Sequence, residues 1–359
     1  MIWFARVNGY TKYQKGEAML KTNQRHLGAS GLDVPALGVG VMSWGERIIG
    51  YGKTHTREDV FQAYRTCLDA GLNFFDTAEG YGRGESERLL GECRRKDGRP
   101  ILIATKFAPA SIFAPVPSRL SPRALLQALD NSLRRLGVEY IDLYQIHFPP
   151  APQKIDAYMD VMAEAVRAGK IRAVGVSNFS ASLMRQAHAR LARYDIPLAS
   201  NQVRYNLLYR HPEANGVLDA CRELDVALIA YSPMEAGILT GKFRGRTRSQ
   251  SLLRRLIAGM DRLDPFGDTQ GSIPVFQRLL KGANTLPREQ WETLFVVLEE
   301  VAHAHEKTIA QVALNWLLTK DERIIPIPGA KNERQARENA GTLDWRLTEE
   351  EQVRISQAA

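Results

Sequence analysis

Short apolar runs alternate along the chain with longer segments in which apolar residues recur every three or four positions. The short runs predict buried strands, and the longer segments predict amphipathic helices. In the first such helix, for example, Val60, Tyr64, Cys67 and Leu68 recur at helical spacing. The predicted strands cover residues 37–43, 73–77, 101–106, 141–147, 173–176, 199–203, 226–231 and 323–326. The predicted helices cover residues 56–70, 85–95, 121–136, 157–168, 180–193, 213–224, 288–305, 308–318, 332–340 and 348–357.

This alternation of strand and helix predicts an α/β protein. Parallel strands joined by right-handed crossovers are expected, and eight of them close into a single (β/α)8 TIM barrel. The alternative is an open, doubly wound sheet. It is disfavoured because the glycine-rich turn at residues 38–43 has Ser43 where a dinucleotide-binding fingerprint requires its third glycine.

Two segments fall outside the alternation. Residues 1–24 are polar and weakly patterned, and we interpret them as a poorly ordered N-terminal extension before a barrel domain at residues 25–359. Residues 235–287 form an arginine-rich, glycine-punctuated insertion after the seventh strand. Because the insertion contains no second complete pattern, we predict a long loop over the barrel mouth rather than another domain.

Composition and charge narrow the choice of partner. The 359 residues are 44% hydrophobic and 25% charged, which is typical of a globular protein. The net charge of +8 comes from 48 basic against 40 acidic residues, and the basic residues often neighbour acids. This distribution argues against a nucleic-acid partner and favours a phosphate-bearing small molecule. The sequence leaves the choice between monomer and homo-oligomer open.

Cysteine and histidine spacing argues against disulfides and metal sites. Cys67, Cys93 and Cys221 are far apart, which indicates reduced thiols and a cytoplasmic protein. His303 and His305 are two positions apart, so on a helix they face different directions, and no HExxH motif is present. We therefore predict no metal. No apolar run reaches the roughly 18 residues of a membrane span, so no membrane association is predicted.

Ionisable side chains stand at the carboxyl ends of successive predicted strands. Asp76 lies at the end of the second strand and Tyr81 follows it. Lys106 ends the third strand, and His147 ends the fourth. Each residue alone has a purely structural explanation, such as a helix cap or a solvated strand end. Because these strand ends share one face of a barrel, their joint placement predicts an active site.

The four groups suit protonation of a carbonyl oxygen. A phenol has an ordinary pKa of roughly 10, and a nearby ammonium group lowers it. We therefore expect Lys106 to lower the pKa of Tyr81 and Asp76 to keep Lys106 charged. His147 can donate a hydrogen bond to a substrate oxygen. The sequence offers no serine or cysteine nucleophile beside a base, so we expect a nicotinamide to supply a hydride to the carbon.

Polar residues after the later strands are candidates for holding that nicotinamide. Ser177, Asn178 and Gln202 have side chains that suit a carboxamide. Tyr231 offers an aromatic face for the ring, and Tyr205 is close enough in sequence to be an alternative.

The turn after the eighth predicted strand is suited to a phosphate. Gly329 precedes a helix start, where backbone N–H groups and the helix dipole favour an anion. Lys331 and Arg334 add positive charge suited to a 2′-phosphate, which predicts NADPH rather than NADH. The alternative is a basic helix start on a basic surface.

Taken in order, these segments resemble the aldo-keto reductases. GLNFFDTAEGYGRGESERLLG is similar to the first signature of the family, IATKF to its lysine strand, IDLYQIH to its histidine strand and GKIRAVGVSNFS to its cofactor signature. NQVRYN, YSPMEAGILTGKF and IPIPGAKNERQARENAG extend the likeness from Arg25 to the C-terminal helix. The chain is most similar to bacterial and plant members with the YSPxxxGxLTGK segment.

The resemblance implies a (β/α)8 barrel that reduces an aldehyde or ketone to the alcohol with NADP(H). It implies that Tyr81 is the general acid and that Lys106 and Asp76 tune it. His147 would orient the carbonyl. The residues implied to bind the cofactor are Ser177, Asn178, Gln202, Tyr231, Ser232, Met234, Gly237, Leu239, Lys242, Lys331, Gln335, Glu338 and Asn339.

The predicted substrate pocket departs from the family pattern. Phe148 and two prolines follow His147 where many members have tryptophan. Phe107 and Phe113 complete the predicted pocket, together with Trp44, for which a packing role is an equal alternative. Two other functions stay open. One is a cofactor-sensing regulatory subunit, like the channel-associated members of the family, and the other is a lyase that uses Lys106 as a Schiff base.

Overall fold

The computed structural model describes residues 23–109, 121–150, 154–242 and 288–359. The strands in these residues are β1 (Gln24–His26), β2 (Asp33–Pro35), β3 (Val39–Gly40), β4 (Phe74–Asp76), β5 (Leu102–Phe107), β6 (Ile141–Ile146), β7 (Ile171–Ser177), β8 (Leu198–Arg204), β9 (Ala227–Tyr231) and β10 (Ile324–Pro326). The α-helices are α1 (Arg57–Asp69), α2 (Glu85–Asp97), α3 (Ala124–Leu136), α4 (Ile155–Arg167), α5 (Ala181–Ala192), α6 (His211–Ala214), α7 (Val217–Glu223), α8 (Arg288–Ala304), α9 (Ile309–Lys320), α10 (Glu333–Ala340) and α11 (Glu349–Ala358).

Strands β3 to β10 form one parallel sheet in sequence order. Hydrogen bonds from the last strand back to the first close this sheet into a barrel. The amide of Gly38 donates to the carbonyl of Pro326 at 2.9 Å, and the amide of Gly40 donates to the carbonyl of Pro328 at 3.1 Å. The predicted eight-stranded α/β barrel is therefore confirmed.

Strand β3 is shorter than the seven-residue run that the sequence predicted. Its glycines are needed because the closing strand comes very near. A Cβ on Gly40 would lie 2.8 Å from the carbonyl oxygen of Ile327, and one on Gly38 would lie 2.9 Å from the side chains of Ile327 and Phe74. At Gly40 the near atom belongs to the backbone, and such close approach leaves no room for a side chain.

The helices follow the predicted order, and their starts are set by local capping. Thr56 begins α1 with a reciprocal capping box to Asp59, and Thr308 begins α9 in the same way with Gln311. The predicted start of α3 at Ser121 is wrong, because the helix begins at Ala124 without a side-chain cap.

An antiparallel hairpin of β1 and β2, absent from the sequence prediction, covers one end of the barrel interior. Leu27 and Val34 of this hairpin pack in one cluster with interior residues such as Leu143 and Ile229. The guanidinium of Arg25 donates to the carbonyl of Asp321 at 2.8 Å and ties the hairpin to the residues before β10. The first strand begins at Gln24, one residue inside the predicted N-terminal extension.

Several sequence predictions lie outside the described residues. These are the fate of residues 1–22, the pocket residue Phe113, and residues 243–287 of the predicted long loop. Within the part of the chain that is described, no helix is long and apolar enough to cross a bilayer.

Candidate active site

The carboxyl ends of β4 and β5 bring three ionisable side chains into one buried cluster. The two strands pair in parallel, so Asp76 and Lys106 end at the same rim. The Nζ atom of Lys106 lies 2.6 Å from Oδ1 of Asp76 and 2.8 Å from the carbonyl oxygen of Thr77. The same Nζ is 3.5 Å from the hydroxyl oxygen of Tyr81. Lys106 is fully buried.

The loop after β4 places Tyr81 over this cluster. Its backbone turns sharply, with Gly82 and Arg83 in the left-handed region. The amide of Gly82 donates to the Glu46 carboxylate at 3.0 Å, which holds the turn against the loop after β3. A Cβ on Gly82 would lie 2.7 Å from the carbonyl oxygen of Gly45, so this position requires glycine.

His147 follows β6 and completes the predicted group of four. Its ring meets the ring of Tyr81 edge-on, with centroids 5.8 Å apart and an interplanar angle of 82°. The ring of Phe148 stacks on the ring of His147, with centroids 4.5 Å apart and an interplanar angle of 9°. The structure therefore brings Asp76, Tyr81, Lys106 and His147 together at one rim.

Burial sets the protonation states of the group. Burial raises the pKa of Tyr81, and the opposing charge of Lys106 does not cancel that effect. Lys106 lowers the pKa of Tyr81 as expected, but burial has the larger effect, so the net lowering expected from the sequence is not reached in the protein alone. Burial opposes the charged form of Lys106, but Asp76 and Tyr81 together outweigh it and raise the pKa of Lys106. Burial, reinforced by Lys106, holds the pKa of His147 well below 6.5. At neutral pH the site thus contains a phenol, an ammonium and a neutral imidazole.

The second oxygen of Asp76 accepts hydrogen bonds from two glutamines. Nε2 of Gln202 on β8 lies 2.9 Å from Oδ2 of Asp76, and Nε2 of Gln145 on β6 lies 3.1 Å from the same atom. Gln202 Nε2 is also 3.3 Å from Oε1 of Gln145. Gln145 was missed in the sequence, although a glutamine inside the apolar strand IDLYQI was a usable signal.

Asn178 links the ends of three strands. It has a left-handed backbone, with φ of 61°, which asparagine tolerates better than most residues. Its Nδ2 donates to the carbonyl of His147 and to Oγ of Ser177, both at 3.1 Å. The hydroxyl of Tyr231 donates to its Oδ1 at 3.2 Å. Tyr205 instead lies in the core, where its hydroxyl donates to Glu213 at 2.9 Å, so Tyr231 is the tyrosine at this rim.

The segment after β9 is held in an unusual backbone conformation. Ser232, Glu235 and Ala236 all have positive φ angles. Asn206 Nδ2 donates to the carbonyl of Ser232 at 2.9 Å and to Glu235 at 2.6 Å. Met234 is half-buried beside the core, whereas Leu239 is buried within it. Asn206 and Glu235 are further residues that sequence reasoning missed.

Basic side chains gather where this segment approaches the start of α10. A Cβ on Gly237 would lie 2.7 Å from Nζ of Lys242, so the lysine lies directly against that glycine. Burial lowers the pKa of Lys242, reinforced by the charge of Arg334. Burial also lowers the pKa of Lys331, reinforced by Lys242. These cations therefore repel one another in the protein alone.

The start of α10 is organised by its own side chains. Asn332 caps the helix by accepting from the amide of Gln335 at 3.1 Å, and Gln335 Oε1 accepts from the amide of Lys331 at 2.8 Å. Asn339 Nδ2 donates to the carbonyl of Gly329 at 3.2 Å. Arg334 is 77% exposed and lies 3.5 Å from Glu338.

Two of the aromatic residues predicted for the substrate pocket lie in the core instead. Trp44 is buried against Phe75, and its indole N–H donates to the carbonyl of Ala330 at 2.8 Å. Phe107 is buried and packs on Tyr158, with ring centroids 6.1 Å apart. The full burial of both rings favours packing roles, which for Trp44 was the equal alternative. Phe148 is half-buried beside His147, and its place in the substrate pocket stays a prediction.

A sequence model of one protein family matches nearly the whole chain. Residues 36–359 match the aldo/keto reductase family. The chain belongs to the aldo-keto reductase family. It is therefore an oxidoreductase that acts on carbonyl groups, as the resemblance in the sequence implied.

Individual members of the family resemble the chain over most of its length. The chloroplastic pyridoxal reductase of Arabidopsis thaliana is 33% identical, with 91% of this chain and 84% of that protein covered. An NADP(+) aldo-keto reductase of Schizosaccharomyces pombe is 32% identical, with 88% and 86% covered. A solved thermostable aldo-keto reductase in complex with the inhibitor epalrestat is 30% identical, with a TM-score of 0.68 and 94% and 99% covered.

Proposed function

We propose that the protein reduces an aldehyde or ketone to the alcohol with NADPH, using Tyr81 as the general acid. The observation that carries the proposal is the position of Lys106. Its ammonium group lies between the carboxylate of Asp76, at 2.6 Å, and the hydroxyl of Tyr81, at 3.5 Å. This geometry makes the phenol the proton donor nearest to a fixed cation, which is the arrangement that protonation of a carbonyl oxygen needs.

The phenol is suited to give up its proton only at the moment of reaction. Burial keeps Tyr81 protonated at neutral pH, so the acid form is the resting form. When the proton passes to the carbonyl oxygen, the phenolate that remains is stabilised by Lys106. Asp76 keeps Lys106 charged and fixes its position through the 2.6 Å contact.

His147 serves as a neutral hydrogen-bonding group. Its low pKa means that the imidazole carries no charge at neutral pH. The ring stands edge-on to Tyr81, so both side chains border the same space. An N–H of the neutral ring donates to the substrate oxygen and orients the carbonyl toward Tyr81.

The polar residues at the neighbouring rims fit a nicotinamide. Gln202 has both amide protons directed at Asp76 and Gln145, which leaves its Oε1 as an acceptor for a carboxamide N–H. Ser177 and Asn178 stand beside it at the end of β7, and Tyr231 offers its ring. When bound, NADPH supplies the hydride that attacks the carbonyl carbon.

The basic group near α10 fits the 2′-phosphate of that cofactor. Lys242, Lys331 and Arg334 repel one another, and an anion among them relieves this repulsion. Gln335, Glu338 and Asn339 are the neighbouring polar groups on α10 that are assigned to the adenosine half. Ser232, Met234, Gly237 and Leu239 belong to the segment assigned to the pyrophosphate.

The test is consumption of NADPH, followed by absorbance, with a panel of aldehydes and ketones that includes pyridoxal. We expect turnover with NADPH to exceed that with NADH. Tyr81→Phe is expected to reduce kcat by about 100- to 10,000-fold, while NADPH affinity, measured by fluorescence, stays within about twofold. The matched control is Tyr140→Phe, at an exposed position, which is expected to retain activity. Full activity in Tyr81→Phe would overturn the assignment of the acid.

The competing function is a regulatory subunit that binds NADPH without rapid turnover. The arrangement of Lys106 between Asp76 and Tyr81 favours an enzyme, since cofactor binding alone does not need a tuned acid. Negligible turnover across the whole carbonyl panel, together with a stoichiometric protein partner in a pull-down, would favour the regulatory function. Borohydride trapping of a substrate on Lys106 would favour the lyase instead.

A further inference from the structure

Gln145 occupies a central place between the two halves of the proposed site. It lies on β6, is fully buried, and points into the barrel. Its Nε2 is 3.1 Å from Oδ2 of Asp76, and its Oε1 is 3.3 Å from Nε2 of Gln202. Asp76 belongs to the proton-donating side of the site, and Gln202 belongs to the cofactor side. One amide therefore contacts both sides.

The hydrogen-bonding groups of Asp76, Gln145 and Gln202 fix how the two glutamine amides are oriented. A carboxylate oxygen can only accept, so both glutamines must turn their N–H groups toward Oδ2 of Asp76. With Gln145 turned this way, its Oε1 is the acceptor for the second N–H of Gln202. The donors of Gln202 are then fully used, and its own Oε1 faces away from Asp76. The reverse orientation of Gln145 would place two acceptors 3.1 Å apart.

We propose that Gln145 is a positioning residue that fixes the amide of Gln202 so that its oxygen can accept from the nicotinamide carboxamide. This inference rests on the proposed function. Gln145 does not contact the reacting atoms and acts on the cofactor through Gln202. Its loss removes one donor from Asp76 and the acceptor that fixes Gln202, and the freed Gln202 amide can then rotate.

The test is Gln145→Met, which keeps a similar volume but removes both hydrogen bonds. Two ligands separate positioning from general damage: NADPH, which has the nicotinamide, and 2′,5′-ADP, which lacks it. We expect the Kd of NADPH to rise about 2- to 10-fold, the effect of one or two neutral hydrogen bonds. The Kd of 2′,5′-ADP is expected to stay within about twofold. Should this variant fail to fold, Gln145→Asn is used, whose shorter amide cannot span both partners.

The double variant Gln145→Met/Gln202→Met tests whether Gln145 affects NADPH binding through Gln202. If Gln145 acts through Gln202, the double variant binds NADPH no more weakly than Gln202→Met alone, whereas additive losses would contradict this. Ser200→Ala is the control, because Ser200 is equally buried on the same strand as Gln202 and its hydroxyl makes no hydrogen bond in the described structure. It is expected to leave both affinities unchanged.

The outcomes distinguish this inference from the proposed function. Equal weakening of NADPH binding and 2′,5′-ADP binding, or no weakening of either, overturns the positioning role of Gln145. In that case, turnover by the wild-type protein leaves the reductase function standing. A wild-type protein that binds NADPH but reduces no carbonyl overturns the function, and selective weakening of NADPH in the variant would then still support the positioning role.

Discussion

Nζ of Lys106 lies 2.6 Å from Oδ1 of Asp76, and both side chains are buried at the barrel rim. Neither charge has access to bulk water, so each depends on the other. A buried pair of this kind costs desolvation energy when formed, but removing one partner leaves the other charge uncompensated. The pair therefore links the stability of the barrel rim to the proposed chemistry.

Lys106→Met is expected to lower the free energy of unfolding by about 3–5 kcal/mol, because it leaves the Asp76 carboxylate buried without its cationic partner. Urea denaturation followed by circular dichroism measures the change. The control is the double variant Asp76→Asn/Lys106→Met, which removes both charges and is expected to be more stable than Lys106→Met. A double variant as unstable as the single one would show that lost packing, rather than an unpaired charge, is responsible.

The pH dependence of reduction follows from the two shifted groups. Tyr81 must be protonated to act as an acid, and its pKa is raised above 10.0, so activity is lost only as the pH rises through that higher value. The pKa of His147 is lowered well below 6.5, so the imidazole stays neutral above that pH. We therefore expect kcat/KM for reduction by NADPH to be flat between 6.5 and 10.0.

The measurement is a pH profile of kcat/KM with an uncharged aldehyde at constant ionic strength. An alkaline loss of activity with its midpoint near pH 8 would contradict the expectation. It would mean that Lys106 outweighs burial once the cofactor is present, as the sequence alone had suggested.

The cysteines are expected to be unreactive in the folded protein. Cys67, Cys93 and Cys221 are free and buried, and burial raises the pKa of each thiol to about 12. Because the thiolate is the reactive form, Ellman's reagent at pH 8 should label none of them in the native protein. All three should react in urea, and rapid labelling of the native protein would show that these helices open locally.

Barrel closure depends on the absence of a side chain at Gly40. A Cβ there would lie 2.8 Å from the carbonyl oxygen of Ile327, a backbone atom that cannot move aside easily. Gly40→Ala is therefore expected to lower the free energy of unfolding by about 1–3 kcal/mol. Thermal and urea denaturation provide the measurement.

Gly329→Ala is the matched control, because Gly329 pairs with Gly40 across the closure but has space for a methyl group, with its nearest neighbour at 3.6 Å. We expect this variant to stay within about 0.5 kcal/mol of wild type. Equal destabilisation by both substitutions would mean that backbone flexibility, rather than close approach, is what the closure requires.

Local sequence patterns were sufficient for the order of the barrel strands and helices and for the rim positions, but not for the β1–β2 hairpin. The order of strands and helices follows from apolar periodicity, which each segment carries in itself. Asp76, Lys106 and His147 could be placed at one rim because parallel strands in a barrel all end on the same face. The polar residues Ser177 and Asn178 could be placed there for the same reason.

Tertiary structure decided which side chains turn inward and how they titrate. Ala199 and Gln202 both face the barrel interior although they are three residues apart, which alternation in a regular strand forbids. A register shift between β7 and β8 makes this possible, and it directs Gln202 toward Asp76. Such a shift depends on the neighbouring strand and leaves no local sequence signal.

Dependence on long-range packing also explains why the sequence alone indicated neither the pKa of Tyr81 nor the choice between Tyr205 and Tyr231. The sequence placed a cation near Tyr81, but the extent of burial, which raises its pKa, depends on all of the surrounding chain. Tyr205 and Tyr231 both follow strands, and only packing shows that one enters the core while the other reaches Asn178. The sequence thus determined which ionisable groups stand at the strand ends. Long-range packing decided their orientation and their charge.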